Sequence, residues 1–236
     1  DRQTERELRY IRLARENKAD AVMINAPELN LKKAFAGLNC PVVLLGDRSG
    51  DCPYKKVGTD IEKAMRTALD YLVQKKHTDI GFVSPLRLDT EGIDRNKRYV
   101  VYKDFMEQKG LAARDDRHFN VQLSFEGGIE LARLFIRMKD KPSAIVAGND
   151  AVAIGFIREA QKAGVRVPQD VSIIGLDDIE TAAMITPAVT TVAKPKREIG
   201  ATGARMILDM LNGKKNVAST FLTPFLIERE SVAELK

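Results

Sequence analysis

The feature that most constrains this chain is a regular alternation of short apolar runs with longer amphipathic stretches, in which several runs stop abruptly on polar residues. "SAIVAGND" (143–150) and "VSIIGLDD" (171–178) are the clearest cases. Each is too short for a helix of ordinary length and apolar at consecutive positions, the pattern of a strand buried on both faces. The intervening stretches repeat apolar residues every three or four positions. Between about 60 and 73, Ile61, Ala64, Met65, Ala68, Leu69 and Leu72 form one stripe, with Asp60 as a helix-start signal. Further runs, "DAVMINA", "PVVLLG", "DIGFVS", "HFNVQL" and "AVTTVA", alternate with predicted helices over 4–17, 31–38, 97–109, 125–138, 150–163 and 197–212. Ser124 reads as the cap of the 125–138 helix, and "TFLTPFLIE" closes the chain as an extended segment.

Strands separated by helices require parallel sheets covered on both faces, so the fold class is α/β. Ligands on such sheets bind beyond the carboxyl ends of the strands. Asn149–Asp150 and Asp177–Asp178 stand just past two such ends, which makes them candidates for one shared site.

Composition narrows the function. With 44% hydrophobic and 30% charged residues the chain is that of a globular protein, and no run approaches the ~18 apolar residues of a membrane span. The start "DRQTERELRYIRLAREN" is too charged for a signal peptide. The net charge of +5 is dispersed, and "KPKR" (194–197) and "GKK" (213–215) read as solvated surface, so the chain by itself is not expected to bind DNA strongly. Cys40 and Cys52 lack metal spacing and read as free thiols in a reducing cytoplasm.

No constellation performs chemistry. His77 and His118 lie outside any metal or triad context and read as surface or loop residues. "GATGARMIL" (200–208) falls inside a helical pattern, so its glycines read as close helix packing and not as a dinucleotide loop. Asp177 and Asp178 would diverge at a strand end, a poor acid/base couple or metal site. No metal, no cofactor and no catalytic residues are therefore assigned, and binding is favoured over catalysis.

At this point the residues resemble a known family. The string from "AIVAGND" through "AGVRVPQDVSIIG", "LDDI" and "TPAVTTVAKP" into the long helix after it is similar to the effector-binding core of the LacI/GalR family of bacterial transcription regulators. The likeness extends back through "CPVVLLGDR" and "RNKRYVVYKDFMEQKGL" and covers essentially the whole chain. It implies two Rossmann-like subdomains of the periplasmic-binding-protein type, joined by three crossovers near Ser84–Pro85, Val192–Pro195 and Asn216–Thr220. The expected division is 1–84 plus 194–217 against 85–193 plus 218–236, with a small polar effector between the two.

Family roles carry over at matching positions. Arg98 matches an arginine that holds effector oxygens, although Val101–Tyr102 stands where the family has Gly followed by an aromatic residue. Asn149 and Asp177 match the strand-end amide and carboxylate that bond the effector. Asp60 falls at an acidic position of the first lobe, Lys194 where Gln is usual, and Leu123 where many members carry a stacking ring. Each has a plainer reading: Asn149 as a helix cap, Asp177 as a loop stabiliser, Arg98 and Lys194 as ion-pair partners.

The implied function is effector sensing and homodimerisation in a cytoplasmic regulator that reaches operator DNA through a helix-turn-helix headpiece absent from this sequence. The effector is expected to be a sugar or polyol in preference to a nucleobase. A transporter's solute-binding protein is the alternative; an α/β enzyme using Asp177 or Asp178 ranks below it. Relative to the family pattern, the opening strand, its helix and the next strand are missing, which would leave "DAVMINA" at a sheet edge.

Overall fold

In the computed structural model, residues 2–25, 34–46, 53–85 and 97–235 are described. Cys52, the start of the 31–38 segment and most of the 85–96 interruption lie outside them. The chain divides into two compact units, one of residues 1–60 and 195–223, the other of residues 61–194 and 224–236.

The first unit holds a four-stranded parallel sheet in the order β1 (Val22–Ile24), β2 (Val42–Leu45), β3 (Lys55–Thr59), β9 (Thr220–Leu222), so "DAVMINA" supplies an edge strand. Period-two alternation sorts β2 between two helices. Val42 and Leu44 pack with Ile11 of α1 (Arg2–Glu16) and Phe35, while Val43 and Leu45 pack with Met206 and Ile207 of α6 (Lys196–Leu211). Gly203 explains part of the "GATGARMIL" motif: a Cβ there would lie 2.8 Å from Met23 Sδ and 3.2 Å from Val57 Cγ1. Its role is close helix-to-sheet approach.

The second unit carries a six-stranded sheet in the order β10 (Phe225–Ile227), β8 (Thr190–Ala193), β7 (Ser172–Asp177), β6 (Ala144–Val146), β4 (Ile80–Val83), β5 (His118–Phe119), with only β10 antiparallel. Phe82, Ala144, Val146, Ile174 and Leu176 face α2 (Ile61–Gln74) and α3 (Lys97–Gln108). Val83, Ile145, Ala147 and Ile173 face α4 (Phe125–Arg137) and α5 (Asp150–Lys162). Adjacent residues of one strand thus serve opposite layers, which is why these runs carry no polar alternation.

Two expectations need correction. The first division falls at Asp60–Ile61 and not at residue 84, because the stripe of α2 packs on Phe82, Val146 and Ile174, and β4 lies inside the six-stranded sheet. Ser84–Pro85 is therefore not a crossover, and the last division falls at Thr223–Pro224, between β9 and β10, instead of within 216–220. The histidines are not surface residues either. His77 is 2% exposed; its Nε2 lies 3.0 Å from the Ala233 carbonyl and its Nδ1 2.9 Å from Ser143 Oγ. A carbonyl can only accept, so Nε2 carries the proton in the neutral ring, and the one Ser143 hydroxyl hydrogen is shared between Nδ1 and the Asp79 carbonyl 3.1 Å away. His118 is half-buried, with Nε2 3.1 Å from Ser84 Oγ and its ring 4.7 Å from that of Tyr99.

The amino edge of this sheet is held by charge. Arg117 is 0% exposed and forks onto Asp79, at 2.6 Å from Nε to Oδ1 and 2.7 Å from NH2 to Oδ2. It also reaches Asp116 at 3.1 Å and Asp140 at 3.0 Å, and Arg114 bonds the same two aspartates.

Breaking this network should be asymmetric. Asp79→Ala leaves a guanidinium buried and short of its main partner, and should cost about 2–3 kcal/mol. Arg117→Met leaves only carboxylates that water reaches, and should cost less than half as much; urea unfolding midpoints of the two variants measure the difference. Burial holds the His77 pKa below its ordinary value. The unfolded ring titrates near pH ~6.5, so the neutral buried ring stabilises the fold above that pH and the contribution is lost as pH falls through the lower folded value. A pH series of thermal melts should show a loss of stability below about pH 6.5 that His77→Asn weakens.

Candidate functional site

Parallel strands leave their carboxyl ends on one edge, and in the six-stranded unit that edge gathers Gly148–Asp150 after β6, Asp177–Asp178 at the end of β7, and Lys194 after β8. Asn149 caps α5: its Oδ1 accepts from Val152 N at 2.9 Å, and its Nδ2 donates to the Leu123 carbonyl at 3.0 Å. These bonds fix the amide's orientation and occupy one of the two Nδ2 hydrogens. Gly148 just before it has φ +71°, and a Cβ there would lie 2.7 Å from Val83 O and 2.8 Å from Leu123 Cδ2. The Gly148 carbonyl accepts from Arg98 NH1 at 3.0 Å, which ties the start of α3 to this strand end. Arg98, Leu123 and Asn149, drawn from three separate segments, thus meet around one glycine.

Asp177 and Asp178 both have left-handed backbones, with φ 109° and 53°. For residues other than glycine that conformation costs of order 1–3 kcal/mol each and persists where surrounding bonds impose it. Those bonds are present. Lys194 Nζ pairs with Asp177 Oδ1 at 3.0 Å, and Arg229 NH2 with Asp178 Oδ1 at 2.7 Å, while Arg229 NH1 donates to the Val189 carbonyl at 2.8 Å. The two carboxylates take different cations, as expected of consecutive residues at a strand end. Asp60 belongs to the other unit: it follows β3 at the carboxyl edge of the four-stranded sheet, exposed, its N–H donating to Leu222 O at 3.1 Å.

Asp150, grouped by the sequence with Asn149 at a strand end but given no role of its own, is buried beneath this edge. It is 0% exposed, accepts from Thr191 Oγ1 at 2.6 Å on one oxygen and from the Ile179 N–H at 2.8 Å on the other, and occupies space that a side chain at residue 175 would fill. A Cβ on Gly175 would stand 2.0 Å from Asp150 Oδ1. Burial pushes the Asp150 carboxyl up to about 6; the two hydrogen bonds oppose that rise, and Asp177 and Asp178 add to it. The available signal was the glycine interrupting the apolar run "VSIIGLDD", since an isolated glycine in a strand marks a close approach.

Among the described residues no group of His, Cys, Asp and Glu could hold a metal ion, and no helix is long and apolar enough to cross a membrane. The described residues of this edge present hydrogen-bonding groups of both polarities and, among them, no nucleophile paired with a base, an arrangement suited to holding a polar molecule.

Comparison with known proteins agrees with the architecture. The model of the periplasmic binding protein-like domain matches residues 69–232. The chain is 30% identical over 235 residues to the HTH-type transcriptional repressor PurR of Proteus mirabilis, covering 95% of this chain and 67% of that protein. It is 32% identical over 188 residues to catabolite control protein A of Priestia megaterium, covering 80% and 56%. A sugar-binding transcriptional regulator of the LacI family from Escherichia coli, solved with phosphate, superposes with a TM-score of 0.82 at 27% identity, covering 98% of this chain and 84% of that one. These relatives are regulators and not enzymes, and this chain spans about two thirds of the PurR length. Strand order, strand-end chemistry and sequence likeness lead to one assignment: the chain belongs to the periplasmic-binding-protein-like family, as the effector-binding core of a LacI-type transcription regulator.

Proposed function

We propose that the carboxyl edge of the six-stranded sheet binds a small, hydroxyl-rich effector, and that its binding modulates operator binding by a helix-turn-helix headpiece. The observation that carries this reading is the convergence of Arg98, Asn149 and the Asp177–Lys194 pair at one strand edge. Asp177 accepts from an effector hydroxyl, Lys194 donates to a neighbouring oxygen, and the remaining Nδ2 hydrogen of Asn149 donates to a third. Leu123 offers an aliphatic wall in place of a ring, which favours a sugar or polyol over a nucleobase. The description of the Escherichia coli relative as sugar-binding supports the same class. Asp60 is the contact proposed for the four-stranded unit.

Effector binding shifts the population toward whichever conformation binds it more tightly, a shift set by its differential affinity. In a cytoplasmic homodimer that shift changes the spacing of two headpieces on operator half-sites. The relatives' description as HTH-type repressors supports a regulator over a transporter's solute-binding protein.

Isothermal titration against sugars, sugar phosphates and nucleobases tests the reading. A hydroxyl-rich compound should bind, and Asp177→Ala should weaken it by about tenfold or more, since a hydrogen bond to a charged group is worth ~1.5–3 kcal/mol. Binding of a nucleobase alone, or affinity indifferent to Asp177→Ala and Asn149→Ala, would overturn the assignment. Lys194→Gln should leave a neutral sugar within about threefold while weakening a sugar phosphate about tenfold, because only the latter needs the cation. Equal losses for both ligands would show that Lys194 acts through Asp177 and not on the effector.

A further inference from the structure

Asp150 is the one fully buried carboxylate among the described residues, and it lies beneath the proposed site without belonging to it. It stands at the first turn of α5, next to the cap Asn149, where a helix terminus favours negative charge. From there its side chain passes over Gly175 of β7 and reaches Thr191 of β8, the residue directly opposite Gly175 in the ladder. Its other oxygen takes the N–H of Ile179, the residue that follows the two left-handed aspartates. One carboxylate therefore joins the helix that carries Asn149, the strand that leads to Lys194, and the turn that carries Asp177.

We infer that Asp150 is a positioning residue of the effector site: it holds the Asp177–Asp178 turn in its left-handed form through the Ile179 N–H, and so sets the geometry of a carboxylate that it never touches. The inference rests on the reading of Asp177 as an effector anchor.

Every neighbouring element contributes to the electrostatics. Asp177 and Asp178 face Asp150 from the end of β7, each held by its own cation, Lys194 after β8 and Arg229 after β10. The N-terminus of α5 and the Ile179 and Thr191 donors oppose them. A carboxylate accepts more strongly than a neutral carboxyl, so the hold on Ile179 strengthens as Asp150 ionises. The site then has a dependence on mildly acidic pH that does not arise from any group contacting the ligand.

The test needs no ligand: amide hydrogen exchange and carboxyl 13C shifts by NMR on the 236-residue chain, wild type against Asp150→Asn and Asp150→Ala. In the wild type a side-chain carboxyl signal should titrate near pH 6, and protection at Ile179, corrected for intrinsic exchange, should rise about fivefold through that range. Asn keeps an acceptor for Ile179 and a donor for Thr191 but carries no charge, so Asp150→Asn should hold protection near the wild type's low-pH level at every pH and lose the pH response. Asp150→Ala should lower protection at Ile179 at least about tenfold more than at Ile145 in the core strand β6. Protection at Ile179 independent of pH in the wild type, or unchanged by Asp150→Ala relative to Ile145, would overturn the inference. If Asp150→Ala does not fold, the wild-type titration and Asp150→Asn still decide it. An effector panel with no binder would sink the proposed function while leaving the exchange result to stand or fall separately.

Discussion

The site depends on a buried carboxylate crossing a glycine. Asp150 reaches Thr191 only because Gly175 has no side chain, and no substitute atom fits, since a Cβ would stand 2.0 Å from its oxygen. Burying a carboxylate is costly unless its lone pairs are met, and here a hydroxyl and a backbone amide meet them. The same bonds oppose the strain of two consecutive left-handed aspartates, whose side chains are turned to separate cations. Backbone strain, buried charge and strand-end polarity thus balance one another within a few residues, the pattern expected where function departs from the most stable local choice.

The two edges of the six-stranded sheet use charge in opposite ways. At the amino edge Arg117 is enclosed by Asp79, Asp116 and Asp140, with Arg114 bracing the last two. At the carboxyl edge the ion pairs of Asp177 and Asp178, unlike Asp150 beneath them, are only half-buried, and the Lys194–Asp177 pair remains partly open to solvent. A pair in that setting gains little stability, since exposed ion pairs are worth ~0–1 kcal/mol, and it can exchange its partner for a ligand at small cost. Both edges belong to one layered core, so the difference lies in how completely the charges are enclosed.

Much of the fold was legible in the sequence. Runs such as "SAIVAG" and "VSIIG" announced strands buried on both faces, and Ser124 and Asn149 both cap the helices that they precede. β3 was missed because "KKVGT" carries two lysines and a glycine, with burial confined to its last three residues. Arg117 and His77 read as ordinary polar residues and Asp150 as one more strand-end polar group, since nothing local distinguishes a buried polar side chain from a solvated one when its partners lie tens of residues away. The plain and functional readings of Asn149 turned out to be compatible: capping uses its oxygen and the Leu123 carbonyl uses one amide hydrogen, leaving one more.

The sequence by itself determined the layered α/β class, the polar strand ends from which the candidate site is built, and the family, because period-two and helical repeats and a long ordered string of motifs are properties of neighbours along the chain. Which sheet each amphipathic helix covers was decided only in three dimensions: α2 has one apolar face that would suit either sheet, and only its packing on Phe82, Val146 and Ile174 assigns it to the second unit. Tertiary structure also decided which aspartate would be solvated, which would be paired and which would be buried, since desolvation depends on what the rest of the chain brings to the same place.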